Sequence, residues 1–156
     1  CSGWSGQVIQ RSADGGRIYF YESKGTGTGL YSVNAADGKI FEDKYVDGVV
    51  TGVSVNKTGD VIGMVMQSSD HPPEVFIVRK GDPEPTQISH ANDDAAKMAV
   101  GKTEVIKWKS TDGREIEGLL TYPAGYVLGT KVPLILNVHG GPAGVFQQSY
   151  IGGRGA

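Results

Sequence analysis

The chain has 156 residues with 15 basic and 17 acidic side chains, a formal net charge of −2. Hydrophobic residues make up 38% of it and 24 residues are glycine, a composition that suits a folded chain rich in turns and argues against intrinsic disorder. The slightly acidic balance leaves no basic surface for a phosphate backbone, so we expect no nucleic-acid partner.

Two similar segments occur in the first part of the chain. Residues 12–16 (Ser-Ala-Asp-Gly-Gly) are a turn signal before the apolar run 17–21, and residues 56–60 (Asn-Lys-Thr-Gly-Asp) precede the run 61–65. Further short runs surround each pair, so each unit has about four strand-like segments and repeats after about 45 residues.

Four strands per unit and this period are typical of the blades of a β-propeller. We therefore assign residues 1–92 to two β-propeller-like blades. An antiparallel sandwich is the alternative, because hairpins of unrelated folds share the same turn residues. Two blades do not close a propeller, so their open strand edges predict association with another chain or with missing sequence.

A change of pattern marks a second unit. Residues 93–101 lack strand periodicity and are interpreted as a connector. Beyond them, the step from Asp112 to Gly113 between two strand-like runs predicts a hairpin. Residues 133–138 form a continuous apolar run, which is typical of a strand covered on both faces in an α/β sheet. The predicted fold class is therefore mixed, with all-β repeats followed by the beginning of an α/β domain at 102–156.

The apolar run leads into His139, Gly140, Gly141 and Pro142. Two glycines after a buried strand let the backbone turn sharply and leave amide N–H groups open to a ligand. Pro142 has no N–H and biases Gly141 away from the helical region. We therefore expect Gly141, supported by Gly140, to bind an anion, while His139 and Pro142 hold the loop in shape.

These features together resemble the prolyl oligopeptidase family of serine peptidases, and within it the acylaminoacyl peptidase and bacterial dipeptidyl peptidase branch. The resemblance covers the whole chain, because such enzymes join a β-propeller to an α/β-hydrolase domain in this order. It implies that residues 102–156 are the N-terminal portion of the peptidase domain and that Gly141 and Gly140 belong to its oxyanion hole. Lipases and esterases have related His-Gly-Gly loops.

The nucleophile, base and acid that this family needs are missing from the chain. The family places its serine in a Gly-x-Ser-x-Gly elbow after the oxyanion loop. Ser54 has Asn56 where the second glycine would stand, and Ser149 has Gln147 and Ile151 at the flanking positions. We therefore expect a fragment that is inactive by itself and works with a companion chain or a missing C-terminal segment.

The sequence predicts no cofactor, metal or membrane span. It has one cysteine, Cys1, and no paired-histidine spacing, which argues against a metal site. Cys1 is interpreted as a fragment boundary, with a lipid-modified cysteine as the alternative. His71 and His90 are interpreted as loop residues.

The glycine-rich stretch 25–29 lacks the Lys-Ser/Thr pair of a phosphate loop and predicts a flexible hairpin loop. Prolines and glycines interrupt the uncharged stretch 132–153, so we expect a soluble protein. The sequence leaves open whether its compartment is the cytoplasm or the periplasm.

The function expected for the parent protein is hydrolysis of short peptides through an acyl-enzyme. Two alternatives stay open at this point. One is an esterase with a His-Gly-Gly loop, which a comparison of peptide anilides with short acyl esters would distinguish. The other is a non-catalytic, propeller-like binding module.

Overall fold

A computed structural model of the chain describes residues 10–141 and 144–152. Its first unit is an antiparallel sheet whose strands are adjacent in chain order. Turns rich in Asp, Asn and Gly separate these strands, because such residues form tight turns at low cost. The four strands are β1 (Gln10–Arg11), β2 (Arg17–Lys24), β3 (Gly27–Asn34) and β4 (Ile40–Val46).

The second unit repeats this arrangement as a four-stranded antiparallel sheet, again in chain order. Its strands are β5 (Val49–Val55), β6 (Val61–Gln67), β7 (Glu74–Arg79) and β8 (Thr86–Gln87). A short helix, α1 (Asp93–Ala96), leads to a hairpin of β9 (Thr103–Lys109) and β10 (Glu115–Thr121). The hairpin predicted at Asp112 and Gly113 is confirmed, and each sheet has the four strands that the repeat predicts.

The same chemistry closes the equivalent turns of the two sheets. In the first sheet, the Asp14 carboxylate accepts a hydrogen bond from the Gly16 N–H at 2.9 Å. In the second sheet, the Asn56 side-chain oxygen accepts one from the Asp60 N–H at 3.1 Å, and Gly59 has a φ of +75°. Local hydrogen bonds of this kind shape a turn without help from distant residues.

The flexible loop expected over residues 25–29 is wrong for most of that stretch. Only its first two residues lie in the turn, whereas Gly27 begins β3 and residues 26–29 are buried. A Cβ atom at Gly27 would collide with the Tyr45 hydroxyl. The glycine is therefore required by the close approach of a neighbouring side chain and not by the flexibility of a loop.

The two sheets are joined where β4 passes into β5 through Asp47 and Gly48. The Thr28 hydroxyl donates to the Gly48 carbonyl oxygen at 2.9 Å and accepts from the Val50 N–H at 3.1 Å. Thr28 is 2% exposed, and Gly48 and Val50 are buried as well. One side chain thus satisfies a donor and an acceptor that would otherwise be buried without partners.

A small apolar core lies beside this junction. Val46, Val50 and Met64 are buried together, and partly buried side chains surround them: Leu30, Val53, Ile62, Met66, Phe76 and Val78. At the other end of β5, the Gln10 side chain donates to the Val55 carbonyl oxygen and accepts from the Val55 N–H, each at 2.6 Å. The sheets are therefore connected at both ends of β5.

A buried carboxylate holds the connection from the second sheet to α1. Glu74 is 3% exposed and accepts hydrogen bonds from the Asn92 N–H at 2.6 Å, from the Ala91 N–H at 3.2 Å and from the Ser89 hydroxyl. Hydrogen bonds to the ionised form, with that of the Ser89 hydroxyl as the largest cause, lower the pKa of Glu74. The ionised carboxylate therefore stabilises this connection.

The predicted mixed fold class is wrong. In the described residues all strands pair in antiparallel sheets and the one helix has four residues. The helices of an α/β-hydrolase domain are not present there, and the two four-stranded sheets form no closed propeller. Within the described ranges, no helix has the length and apolar character needed to cross a membrane.

The misleading signal is the apolar run 133–138, which forms no strand. Leu134, Ile135 and Leu136 are 81%, 89% and 82% exposed. A strand needs a neighbour for its backbone hydrogen bonds, and none of the described residues pairs with this run. The apolar composition of this run favours burial. Whether it is buried as a strand depends on partner strands from elsewhere in the chain, which the run itself does not specify.

Replacing Thr28 by valine keeps the shape of the side chain and removes both hydrogen bonds at the junction. We expect Thr28→Val to lower the free energy of unfolding by about 1–3 kcal/mol, because the Gly48 carbonyl and the Val50 N–H stay buried without partners. Urea denaturation followed by circular dichroism measures the change. The control is Thr51→Val at an exposed position of β5. Equal shifts of the urea midpoint in both variants would contradict the role of Thr28.

The lowered pKa of Glu74 predicts a pH-dependent stability. The group stabilises the fold above the pKa of an unfolded glutamate, and this contribution is lost as the pH falls through the lower folded-state value. We expect Glu74→Gln to melt below the wild type at neutral pH and the difference to close progressively in acid. Thermal melts across this range test it, with Glu22→Gln at an exposed position as the control. A difference in melting temperature between Glu74→Gln and the wild type that is the same at every pH would argue against a charged Glu74.

Candidate functional site

The predicted anion-binding loop lies at the end of an exposed stretch. All residues from 131 to 141 are exposed, and among the described residues no backbone hydrogen bond involves 131–140. Solvent therefore reaches the loop. The residues that precede it, 131–140, do not support it with backbone hydrogen bonds.

The residues after the two glycines fold back toward the loop. The His139 ring packs edge-on against Phe146, with the ring centroids 5.8 Å apart. The Gly144 N–H lies 3.5 Å from the Gly141 carbonyl oxygen, a long contact for a hydrogen bond. Pro142, also predicted to support the loop, lies outside the described residues. The contact with Phe146 fits a supporting role for His139, which stays a prediction.

Gly140 and Gly141 present open backbone amides. Gly141 has a φ of +77°, in the left-handed region that favours glycine. A Cβ atom at either glycine would meet nothing within 4 Å, and neither N–H donates to an acceptor among the described residues. Neighbouring unoccupied N–H donors are the chemical requirement for holding an anion. Their assignment to an oxyanion hole stays a prediction.

Directly after the loop, the chain returns to the first sheet. The Gln148 N–H donates to the Thr26 carbonyl oxygen at 2.9 Å. The Gln148 side-chain amide donates to the carboxylate of Asp47, in the connection between the two sheets. The neighbouring Gln147 amide donates to the Gly27 carbonyl oxygen at 3.0 Å. Both glutamines thus bind to the junction that Thr28 organises.

The next residues contact the second sheet and α1. Tyr150 is 7% exposed, and its N–H donates to the Gln67 side-chain oxygen at 3.0 Å. The Tyr150 hydroxyl donates to the Ala95 carbonyl oxygen at 2.5 Å. We call residues 147–151 the anchor segment, because they bind to both sheets and to the helix.

The β9-β10 hairpin contacts the same turn from another direction. Glu117 Oε1 accepts a hydrogen bond from the Thr26 N–H at 3.0 Å, and Glu117 Oε2 lies 3.3 Å from Lys107 Nζ. Partial burial, followed by the carboxylates of Asp47 and Glu117, raises the pKa of Tyr45. The first sheet, the hairpin and the anchor segment therefore meet at Thr26.

The two serines considered as nucleophiles lack the necessary surroundings. Ser54 lies within β5. Ser149 lies in the anchor segment, where its N–H donates to the Gln147 carbonyl oxygen at 2.7 Å. Across 10–141 and 144–152, no hydrogen bond joins a serine hydroxyl to a histidine ring, so neither serine has the base that would activate it.

The other histidines have local partners. His71 Nδ1 lies 3.0 Å from the Pro72 carbonyl oxygen, and His90 Nδ1 lies 3.3 Å from the Asp93 carboxylate. The part of the chain that the structure describes contains no group of three or more His, Cys, Asp or Glu side chains placed to hold a metal ion. Cys1 lies outside the described residues.

A cleft of about 580 Å³ lies between the two four-stranded sheets. Its walls include Tyr19 and Tyr21 of the first sheet and Val53 and Met64 of the second. None of the described residues from 131 to 152 lines it. The cleft is therefore separate from the glycine loop, and the described residues around the loop form an open surface.

Sequence reasoning missed the anchor segment. From the sequence, Gln147 and Ile151 are singled out only as the residues that flank Ser149, and no role is assigned to Gln148 or Tyr150. The available signal was two adjacent amides and a tyrosine within a long uncharged stretch, since such side chains are usually hydrogen-bonded when they are buried. The hydrogen-bond partners of these side chains could not be predicted, because they lie far away in the sequence.

No family model matches the chain. Over 124 residues it is 27% identical to a protein of Bacillus subtilis (strain 168) described as "Uncharacterized peptidase YuxL". The matched region covers 79% of this chain and 19% of that protein. The chain thus spans about a fifth of the length of this curated relative.

Two solved structures share the fold of the chain. The AtxE2 isopeptidase, as a variant with Astexin3-dC4 bound, has a TM-score of 0.68 at 18% identity, covering 98% of this chain and 23% of that one. The apo AtxE2 isopeptidase has a TM-score of 0.61 at 20% identity, covering 85% of this chain and 21% of that one. The proteins that this chain resembles are therefore named as a peptidase and an isopeptidase.

The surroundings of the serines predict that the 156-residue chain does not react with a fluorophosphonate probe. Such probes label serines that an adjacent base activates, and neither Ser54 nor Ser149 has one. Intact mass spectrometry after incubation measures the adduct, with a known serine hydrolase as the positive control. Stoichiometric labelling of the folded chain that disappears after denaturation would show that an activated serine is present.

Proposed function

We propose that the chain is part of a serine peptidase of the prolyl oligopeptidase type, of the acylaminoacyl peptidase branch, that hydrolyses short peptides. The N–H groups of Gly141 and Gly140 bind the oxyanion that forms on the substrate carbonyl, and His139 and Pro142 support their loop. The nucleophile, base and acid come from residues outside these 156, on a companion chain or on a longer form of the same polypeptide.

The observation that carries this proposal is the pair of open amides. Gly140 and Gly141 are exposed, and neither N–H has an acceptor among the described residues. Gly141 adopts a φ of +77°, and successive backbone N–H groups in a turn can form a concave anion site. The likeness to proteins named as peptidases supports peptide hydrolysis as the chemistry.

The proposed reaction places defined demands on this loop. Attack of a serine oxygen on the peptide carbonyl carbon forms a new C–O bond and moves an electron pair onto the carbonyl oxygen. The amides of Gly140 and Gly141 bind this oxygen more strongly as its charge grows, which stabilises the transition state more than the bound substrate. The C–N bond then breaks, the amine leaves with a proton from the base, and water hydrolyses the acyl-enzyme.

A substitution at Gly141 tests the proposal in the complete protein that contains this chain. We expect Gly141→Ala to reduce kcat about 100- to 1000-fold with little change in KM, because strain at this φ rotates the amide away from the oxyanion. Hydrolysis of short peptide anilides, normalised by active-site titration, measures the effect. Turnover of short acyl esters without hydrolysis of any peptide would instead favour an esterase.

Gly59 provides a matched control for backbone strain. Its φ of +75° is close to that of Gly141, and a Cβ atom there also meets nothing within 4 Å. Gly59→Ala therefore has a comparable conformational cost, on the order of 1–2 kcal/mol, but lies in the turn between β5 and β6. Equal losses of turnover in both variants would mean that Gly141 serves only the stability of the fold.

A further inference from the structure

The support of the glycine loop is one-sided. Residues 131–140 have no backbone hydrogen bond within the described part of the chain. On the other side, the Gln148 N–H donates to the Thr26 carbonyl oxygen four residues after Gly144. The first strong hydrogen bonds next to the loop are therefore those of the anchor segment.

Within the anchor segment, Gln148 reaches farthest into the junction of the sheets. Its side-chain amide donates to the Asp47 carboxylate and lies 3.5 Å from the Thr26 hydroxyl oxygen. Asp47 and Gly48 are the two residues between β4 and β5. A donor bound to a carboxylate is held more strongly than one bound to a neutral acceptor. Gln148 thus ties the chain after the loop to the two-residue connection between the two sheets.

We propose that Gln148 is a positioning residue, which orients the Gly140 and Gly141 amides by fixing the chain just after them to Asp47. This inference rests on the proposed function of the loop. Amides that stabilise a transition state must be held close to one orientation, since a displacement of about 1 Å costs up to 100-fold in rate. Among the described residues, the hydrogen bonds closest to the loop on this side are those of Gln148 and of its neighbour Gln147.

Two substitutions of Gln148 separate hydrogen bonding from side-chain shape. Gln148→Glu keeps the shape, removes the donor and places a negative charge against Asp47. Gln148→Lys changes the shape but keeps a donor and places a positive charge there. If Gln148 acts through its donor, the isosteric variant is the damaging one, whereas packing alone would make Gln148→Lys the worse of the two.

In the complete protein we expect Gln148→Glu to lower kcat about tenfold while KM changes less than about twofold. Gln148→Lys should keep kcat within about twofold of the wild type. Peptide hydrolysis normalised by active-site titration gives both constants. A wild-type kcat in Gln148→Glu, or a larger loss in Gln148→Lys, would overturn the positioning role.

Gln10→Glu is the matched control, because Gln10 joins the two sheets at the other end of β5 through its side-chain amide. It makes the same chemical change away from the loop and should lower the urea midpoint without lowering kcat of the titrated enzyme. A loss of kcat equal to that of Gln148→Glu would assign both effects to general loosening of the sheets and overturn the proposal.

Hydrogen exchange of the same proteins gives a readout that needs no activity. We expect the amides of residues 144–150 to exchange about tenfold faster in Gln148→Glu than in the wild type and in Gln10→Glu. Unchanged exchange would overturn the anchoring role even if peptides are hydrolysed. Faster exchange in Gln148→Glu, together with a wild-type protein that hydrolyses no peptide, would confirm the anchor and overturn the proposed function.

Discussion

The hydroxyl of Thr28 is the interaction on which the arrangement of the two sheets depends. Because only Asp47 and Gly48 separate β4 from β5, the chain passes directly from the first sheet into the second. The Gly48 carbonyl and the Val50 N–H are buried as a result, and an unpartnered buried group costs about 1–3 kcal/mol. Thr28 supplies both partners. The same short connection places the Asp47 carboxylate within reach of Gln148.

The glycine loop takes its position from this junction. The hydrogen bonds that hold the chain after the loop join residues far apart in the sequence, since Gln148 lies 101 positions after Asp47 and Tyr150 lies 83 positions after Gln67. Closing such long loops is entropically costly, so contacts of this kind are stable only once the sheets provide their partners. The hairpin contributes in the same way, since Glu117 accepts from the N–H of Thr26, whose carbonyl binds Gln148.

The sequence was most informative where a few neighbouring residues decide the structure. The turns at Asp14 and Asn56 are closed by their own side chains, and the hairpin turn has Gly113 at a φ of +86°. Predictions that rested on composition alone, without knowledge of the contacts, were wrong. The glycines of 25–29 suggested a loop, although Gly27 is a strand residue beneath Tyr45. The apolar run 133–138 suggested a covered strand, although Leu134 and Ile135 are exposed.

The repeated turns, the number of strands in each sheet, the hairpin and the position of the two glycines after the apolar run could all be predicted from the amino-acid sequence. The tertiary structure alone decided that Thr28 joins the sheets, that Gln148 and Tyr150 anchor the chain after the loop, and that the run before it stays exposed. The difference lies in how far along the sequence the deciding interactions reach. Backbone conformation and side-chain-to-backbone hydrogen bonds act over a few residues and are readable locally. Burial and long-range hydrogen bonds depend on which distant segment is brought alongside, and that follows from the path of the whole chain.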